Sequence, residues 1–156
     1  FRIYNDYAEG GVKDDCMVIS VDLDNLKLIN DNFGHNEGDN AILTMANALK
    51  SAADENDICA RFGGDEYVVF GKGKGEYEMT AYIDKVNEYL DKYNLSSNKP
   101  YNVHGSFGGC IMPKGTKMHI DYYINAADSK MYVDKETHKR TRMLYSYNKD
   151  DRESEE

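Results

Sequence analysis

The sequence predicts an α/β (α+β) fold in which one sheet is flanked by helices, and three observations carry that prediction. The 156 residues are enough to close a single hydrophobic core without disulfides or a structural metal. Short β-branched runs alternate with longer segments of helical periodicity. Two of the short runs, at 58–62 and 66–70, flank Gly63, Gly64 and Asp65, which is the composition of a tight hairpin. We therefore expect the order β-α-α-β-β-α-β-α-β.

The first half of the chain opens with the predicted central strand. Residues 16–21 form a short, β-branched apolar run, as expected for a strand buried on both faces, and the run ends at Asp22. A short helix is predicted over 25–32, and a longer one from Glu37 to about Ala53 with Asn36 as its cap. The longer helix presents apolar side chains to the core at i, i+3, i+4 and i+7: Ile42, Met45, Ala46 and Leu49.

The second half begins at the hairpin, whose glycine turn is predicted to need positive φ. Beyond it the pattern predicts a helix at 76–93, a strand at 101–112, a helix at 119–135 and a last strand at 142–147. Residues 150–156 are acidic and are predicted to be a disordered tail, which leaves residues 1–149 as the domain.

Composition excludes several classes of function. The 28 acidic residues outnumber the 19 Lys and Arg, and the net charge of -9 would repel nucleic acid. No apolar run approaches the ~20 residues that span a bilayer, so no membrane contact is expected. The three cysteines, Cys16, Cys59 and Cys110, lie far apart in strand-like stretches, which favours buried, reduced thiols in a cytoplasmic setting. The first residue is Phe1, which suggests a segment of a longer protein.

Asp22 stands where chemistry is expected, at the carboxyl end of a buried strand and just before a helix start. A carboxylate beside free backbone N–H groups could hold a triphosphate together with Mg²⁺, which takes oxygen ligands from one or two carboxylates and from phosphates. Asp65 would be a second ligand if the hairpin pairs beside the first strand. Glu66 could then orient or deprotonate an attacking hydroxyl.

Several acidic residues in and near these segments also have an ordinary structural interpretation. Asp24 could serve only as the N-cap of the short helix, and Asp39 could serve only to complement the dipole of the longer helix. Gly-Gly-Asp-Glu alone could be a common turn with two solvated acids. The four histidines are scattered along the chain, and none is predicted to be a ligand or a base.

Taken together, three blocks of sequence resemble the GGDEF family of cyclic-di-GMP synthases. They are VDLDNLKLIND at 21–31 with FGH at 33–35 and GD at 38–39, RFGGDEY at 61–67, and the segment from Ala127-Asp128 through Met131-Tyr132 to Lys135; SFG at 106–108 resembles the family's Ser-x-Gly strand. The resemblance implies a bacterial, ferredoxin-like, polymerase-palm-like domain with a mixed sheet. It also implies that two GTP molecules condense into cyclic di-GMP with release of two pyrophosphates, and that the reaction takes place across a homodimer. An upstream sensory domain is expected in the full-length protein.

The resemblance also implies roles for individual residues, carried over by position. Asp22, Asp65 and the Leu23 carbonyl would bind Mg²⁺ (or Mn²⁺), and Glu66 would assist the attacking hydroxyl. Asn30 and Asp39 would hydrogen-bond guanine. The phosphates would be held by a backbone cradle and by lysines of the C-terminal helix: Leu23, Asp24, Asn25, Leu26 and Lys27, then Lys135 and Lys139.

The chain departs from the family pattern in four places. An upstream Asp-x-Leu-Thr-Gly segment is absent, and Tyr67 replaces a phenylalanine. The family's Gly-Arg-Asn reads His138-Lys139-Arg140, which removes a bidentate phosphate ligand. The Arg-x-x-Asp of product-inhibited members reads Asp54 to Asp57, which predicts no feedback inhibition there.

Two alternatives to an active cyclase stay open on the sequence. One is a degenerate GGDEF module that binds GTP without turnover and acts as a regulatory or dimerisation domain, which the change at 138–140 favours. The other is a different palm-like nucleotidyl cyclase or polymerase fragment, which fits the carboxylate pair but not the spacing of Gly34-His35 and Gly38-Asp39.

Overall fold

The computed structural model describes the backbone of residues 9–153 and the side chains of residues 9–139. It contains four strands and four helices within that range. In chain order they are β1 (Cys16–Leu23), α1 (Leu26–Phe33), α2 (His35–Ala52), β2 (Asp57–Arg61), β3 (Glu66–Lys72), α3 (Glu76–Ser96), β4 (Gly105–Met112) and α4 (Ile120–Glu153). The predicted α/β class is confirmed.

The four described strands form one sheet in the order β2-β3-β1-β4, and its three pairings are all antiparallel, which corrects the expectation of a mixed sheet. Strand β1 is central and buried along its whole length, as its apolar sequence predicts. The register places Asp22, near the end of β1, opposite Glu66 on β3 and Ser106 on β4. Residues of three strands therefore meet at one end of the sheet.

Helices cover both faces of the sheet and bury two apolar clusters. Alternate β1 residues such as Met17 and Ile19 pack with α2 and α3, while Cys16 and Val18 pack with α4. Helix α4 lies directly on β4, because a Cβ atom added to Gly108 would lie 2.1 Å from the Met131 nitrogen. The glycine thus sets how closely the helix approaches the sheet.

Helix α2 begins two residues earlier than the sequence predicts. Its N-cap is Gly34, which adopts a φ of 92° that favours glycine, so Asn36 is not the cap. Asp39 consequently lies beyond the first turn, where Glu37 is the acidic residue. The dipole interpretation of Asp39 loses its basis, since that effect is confined to the first turn.

Helix α4 continues well past Lys135 and includes residues 142–147. The prediction of a strand at 142–147 is therefore wrong. No Gly or Pro occurs between 120 and 153 to end the helix, so the local alternation at 142–147 does not decide the structure. The helix also includes residues 150–153 of the predicted tail, and residues 154–156 lie outside the described range. Strand β4 is shorter than predicted and begins at Gly105.

The hairpin between β2 and β3 forms as predicted, but its turn does not use positive φ. Neither Gly63 nor Gly64 is among the described residues with positive φ. The Phe62 amide donates to the Glu66 carbonyl at 2.8 Å, so three residues form the loop and the two-residue turn that demands positive φ is avoided. Cys59 on β2 is exposed and Cys110 on β4 is half-buried, which corrects the expectation that all three thiols are buried; none of the three forms a disulfide.

Candidate active site at the carboxyl end of β1

The carboxylates of Asp22 and Asp65 lie next to each other at the end of the sheet. Strand pairing explains this proximity, because β3 runs beside β1 and the Leu23 amide donates to the Asp65 carbonyl at 2.8 Å. The hairpin therefore brings the second predicted metal ligand beside the first.

Asp22 is almost fully buried and has one unsatisfied oxygen. Its Oδ2 accepts a hydrogen bond from Lys135 Nζ at 2.5 Å, whereas its Oδ1 is buried without a hydrogen-bond partner among the side chains of residues 9–139. Burial raises the pKa of Asp22 to about 6; the Lys135 ammonium opposes that rise, and the nearby Asp65 carboxylate adds to it. A buried acceptor that lacks a donor is costly to a fold, and it suits a site that takes a cation.

The loop that carries Asp65 is held by a side chain of its own hairpin. Arg61 donates from Nε to the Gly63 carbonyl and from Nη2 to the Gly64 carbonyl, both at 2.9 Å. These bonds satisfy two loop carbonyls and fix the turn that precedes Asp65. Glu66 is exposed and lies across from Asp22 in the strand register.

Two backbone amides of the predicted phosphate cradle, residues 23–27, already have acceptors within the protein. The Leu23 and Asp24 amides already donate to the carbonyls of Asp65 and His104, at 2.8 and 2.9 Å. Helix α1 starts at Leu26 after Asn25, whose φ of 60° is left-handed and whose side chain caps nothing. The first amides of a helix have no acceptor within it, so Leu26 and Lys27 are the backbone donors suited to an anion.

The predicted guanine ligands come from α1 and α2. Asn30 is half-buried and packs so tightly on α2 that a Cβ atom on Gly38 would lie 1.7 Å from Asn30 Oδ1. Asp39 follows Gly38 and is exposed beside Tyr67 and Arg61. The structure accommodates Tyr67 in place of the family's phenylalanine, because the tyrosine hydroxyl donates to the Ile42 carbonyl at 3.0 Å.

The two predicted phosphate lysines differ in their placement. Lys135 reaches Asp22, as described above, and is therefore at the site. Lys139 is exposed and pairs with Glu136 at 3.1 Å on the outer surface of α4. The structure does not bring Lys139 to the carboxylate pair.

A polar cluster next to the site was not predicted from the sequence. The buried Asp24 accepts a hydrogen bond from Ser106 at 2.6 Å, and His138 lies between Asp24 and Asp134. The N-cap interpretation of Asp24 is therefore wrong, since Asn25 occupies the cap and the Asp24 carboxylate is used elsewhere. One signal was available: His138 lies three residues after Lys135 and four after Asp134, on one face of a helix.

The donor set suits a hard divalent cation that keeps some of its own ligands. Among residues 9–139 no group of three or more His, Cys, Asp or Glu side chains is placed to hold a metal ion. Asp22, Asp65 and a backbone carbonyl would leave positions for water and phosphate oxygens, as Mg²⁺ prefers.

No helix within the described range is both long and apolar enough to cross a membrane.

The family model that matches this chain and several of its curated relatives carry the description diguanylate cyclase. A family model described as diguanylate cyclase, GGDEF domain, matches residues 6–141. Diguanylate cyclase DgcP of Escherichia coli (strain K12) is 30% identical over 127 residues, covering 80% of this chain and 37% of that protein. Probable diguanylate cyclase DgcC of the same strain is 32% identical over 120 residues, covering 76% and 32%. The chain thus spans about a third of these relatives.

Solved structures agree with the fold. The GGDEF domain of PA1120 (YfiN or TpbB) from Pseudomonas aeruginosa superposes with a TM-score of 0.71 at 25% identity, covering 87% of this chain and 84% of that chain. The active GGEEF domain of a diguanylate cyclase from Vibrio cholerae gives a TM-score of 0.71 at 22% identity, covering 80% and 78%. At that identity the second match supports the fold alone.

Proposed function

The chain belongs to the GGDEF domain family of diguanylate cyclases, and on that premise we propose that it condenses two GTP molecules into cyclic di-GMP and two pyrophosphates. One observation supports the proposal most: Asp22 and Asp65 meet at the end of the sheet, and Asp22 Oδ1 is buried with no donor in the part of the chain that the structure describes. A cation at this oxygen would remove the cost of leaving it unsatisfied.

Asp22, Asp65 and the Leu23 carbonyl would hold the metal. Mg²⁺, or Mn²⁺ in its place, would neutralise phosphate charge and let an acidic protein bind a triphosphate. The chain's own contribution to phosphate binding would come from the first amides of α1, at Leu26 and Lys27, and from the Lys135 ammonium. Lys135 lies beside Asp22, so it can reach a phosphate held there.

The base would be recognised by Asn30 and Asp39. A carboxylate that accepts from guanine N1–H and from its amino group leaves adenine without matching donors, and such a mismatch is costly. Asn30 is held in place by its contact with Gly38, which limits the positions its amide can take. Selectivity for GTP follows from this pair.

Glu66 would act on the attacking 3′-hydroxyl. It is exposed at the rim and opposite Asp22 in the strand register, so it can face a nucleotide that is presented from outside the domain. One domain of this kind binds one GTP, and each 3′-hydroxyl attacks the α-phosphate of the other nucleotide. Catalysis therefore requires two domains that face each other, as a homodimer.

A second function is favoured by one observation, the position of Lys139. The lysine that replaces the family's phosphate-binding arginine pairs with Glu136 and does not reach Asp22. A module that binds GTP without turnover and regulates a partner domain would tolerate that loss. An upstream sensory domain and a cytoplasmic location stay predictions.

Product identification separates the two functions. The protein is incubated at high concentration with GTP and Mg²⁺, and nucleotides are resolved by chromatography. We expect cyclic di-GMP from the wild type and at least ~100-fold less from Asp65→Asn, because a lost charge-stabilising ligand costs several kcal/mol in the transition state. The matched control is Asp84→Asn, an exposed residue of α3. Saturable GTP binding without product would support the regulatory module.

A further inference from the structure

We propose that His138 is a positioning residue for the phosphate-binding segment, because it ties the end of β1 to α4 through Asp24. The inference rests on the proposed function and adds a residue that the family pattern does not supply, since that pattern has glycine at this position. Lys135 and His138 lie three residues apart on α4 and reach Asp22 and Asp24, which lie two apart at the end of β1. The helix thus holds the strand end at two points.

The contacts of His138 form a connected polar cluster. Its Nδ1 lies 3.0 Å from Ser106 Oγ and 3.4 Å from Asp24 Oδ2, and its Nε2 lies 3.2 Å from Asp134 Oδ1. Ser106 donates to Asp24 Oδ1 at 2.6 Å, and Asp134 Oδ2 accepts the Phe107 amide at 2.9 Å. The ring therefore connects α4 with both β1 and β4.

The single hydroxyl proton of Ser106 determines the role of His138 Nδ1 in this contact. The Ser106 hydroxyl has one proton, and its 2.6 Å bond to the Asp24 carboxylate uses it. Ser106 Oγ can then only accept from His138, so Nδ1 must be a donor. Nε2 faces the Asp134 carboxylate, with Oδ1 at 3.2 Å. His138 thus donates from Nδ1 to Ser106 and lies between the carboxylates of Asp24 and Asp134.

The donor role explains why Asp24 can be buried. A carboxylate that is 6% exposed requires donors or an opposite charge, or its burial is strongly unfavourable. Ser106 satisfies one oxygen and His138 faces the other. The Asp24 amide meanwhile donates to the His104 carbonyl, so side chain and backbone are both held.

Holding Asp24 in place also holds the backbone amides at the start of α1, which follow it in the chain. Asn25 adopts left-handed φ directly after Asp24, and α1 starts one residue later. Any rotation at Asp24 would redirect the first amides of α1, which are the proposed phosphate donors. His138 thus acts on phosphate binding through Asp24, without touching the nucleotide.

The test compares His138→Ala and His138→Gln with wild type, by two measurements that do not require turnover. Amide hydrogen exchange follows Leu23 and Asp24, whose amides are donors to Asp65 and His104. Affinity is measured with 3′-deoxy-GTP and Mg²⁺, which lacks the attacking hydroxyl. We expect His138→Ala to speed exchange at these two amides and to weaken binding about tenfold, as for loss of a hydrogen bond to a charged group. His138→Gln keeps a donor and should recover part of both effects.

The matched control is His119→Ala, just before the start of α4, where an exposed histidine pairs with Asp121 away from the site. Unchanged exchange and affinity in His138→Ala would overturn the proposal. So would faster exchange throughout the domain, which would indicate general stability, or weaker binding without faster exchange, which would indicate direct contact with the nucleotide. If wild type forms no cyclic di-GMP, the proposed function fails, while the exchange and binding comparisons still test His138.

Discussion

Gly38 determines where Asn30 can lie, although it has no side chain of its own. A methyl group on Gly38 would overlap Asn30 Oδ1 at 1.7 Å, and neither helix α1 nor α2 can move freely because both are packed on the sheet. The glycine is thus needed for space, and its backbone is ordinary helix. This relation is a property of two residues and can be tested at that level.

We expect Gly38→Ala to weaken guanine recognition while leaving the fold intact. Alanine favours helix over glycine by up to ~1 kcal/mol, so α2 should persist, but Asn30 must leave its position and lose its bond to the base. The expected result is about tenfold weaker binding of 3′-deoxy-GTP by titration calorimetry, with a smaller preference over 3′-deoxy-ATP. Asn47→Ala, an exposed change on the same helix, should bind as wild type does. Unaltered affinity in Gly38→Ala would show that Asn30 does not contact the base.

At the scale of elements, helix α4 both packs on the sheet and places two side chains beside Asp22 and Asp24. It packs on β4 and β1, supplies Lys135 and His138 to the site, and approaches β4 most closely at Gly108. There a Cβ atom would lie 2.2 Å from the Ala127 carbonyl oxygen, and backbone cannot give way as a flexible side chain can.

Gly108→Ala should therefore destabilise the fold by about 1–3 kcal/mol or more, the cost of overpacking a tight contact. Urea unfolding followed by circular dichroism measures the change. Gly64→Ala provides the comparison, since nothing lies within 4 Å of a Cβ atom at that loop position. Equal stability of the two variants would mean that α4 is not held against β4 as described.

Most of the elements follow from local sequence signals, and the exceptions have physical causes. The hairpin and the strand ending at Asp22 are predictable because glycine turns and buried β-branched runs are local features. The prediction of a strand at 142–147 was wrong, because a short alternation of apolar and polar residues does not outweigh a long segment without helix breakers. The proximity of Asp22 and Asp65 was predictable, because pairing of adjacent strands brings the two motifs together. It was not predictable for His138, whose partners Asp24 and Ser106 are distant in sequence.

At the scale of the whole molecule, the surface around Asp54 lacks the features of a product-binding site. Asp54 pairs with Lys74, and Asp57 is buried and accepts the Asp54 amide at 2.9 Å. These carboxylates face each other and one lysine, so an added phosphodiester would meet negative charge. The arrangement supports the prediction of no feedback at this surface.

Cyclic di-GMP should accordingly fail to inhibit through residues 54–57. Initial rates measured with rising product should fall no further in the wild type than in Asp57→Ala. Tight product binding that disappears in Asp57→Ala would contradict the prediction.

The two-domain reaction predicts that rate depends on assembly. Initial rate per chain should rise with protein concentration and level off once dimers dominate, because each GTP needs a partner domain to supply its attacking hydroxyl. A rate per chain that is constant across dilution, in a protein shown to be monomeric by light scattering, would rule out catalysis across a homodimer.

The most direct test of the account is whether Asp22 and Asp65 hold a divalent cation with the nucleotide. Mn²⁺ binding in the presence of 3′-deoxy-GTP can be measured by electron paramagnetic resonance, independently of turnover. We predict a bound Mn²⁺ in the wild type and in Asp84→Asn, and at least about tenfold weaker binding in Asp65→Asn, since a carboxylate ligand is lost. Equal Mn²⁺ affinity in Asp65→Asn and the wild type would contradict the metal site.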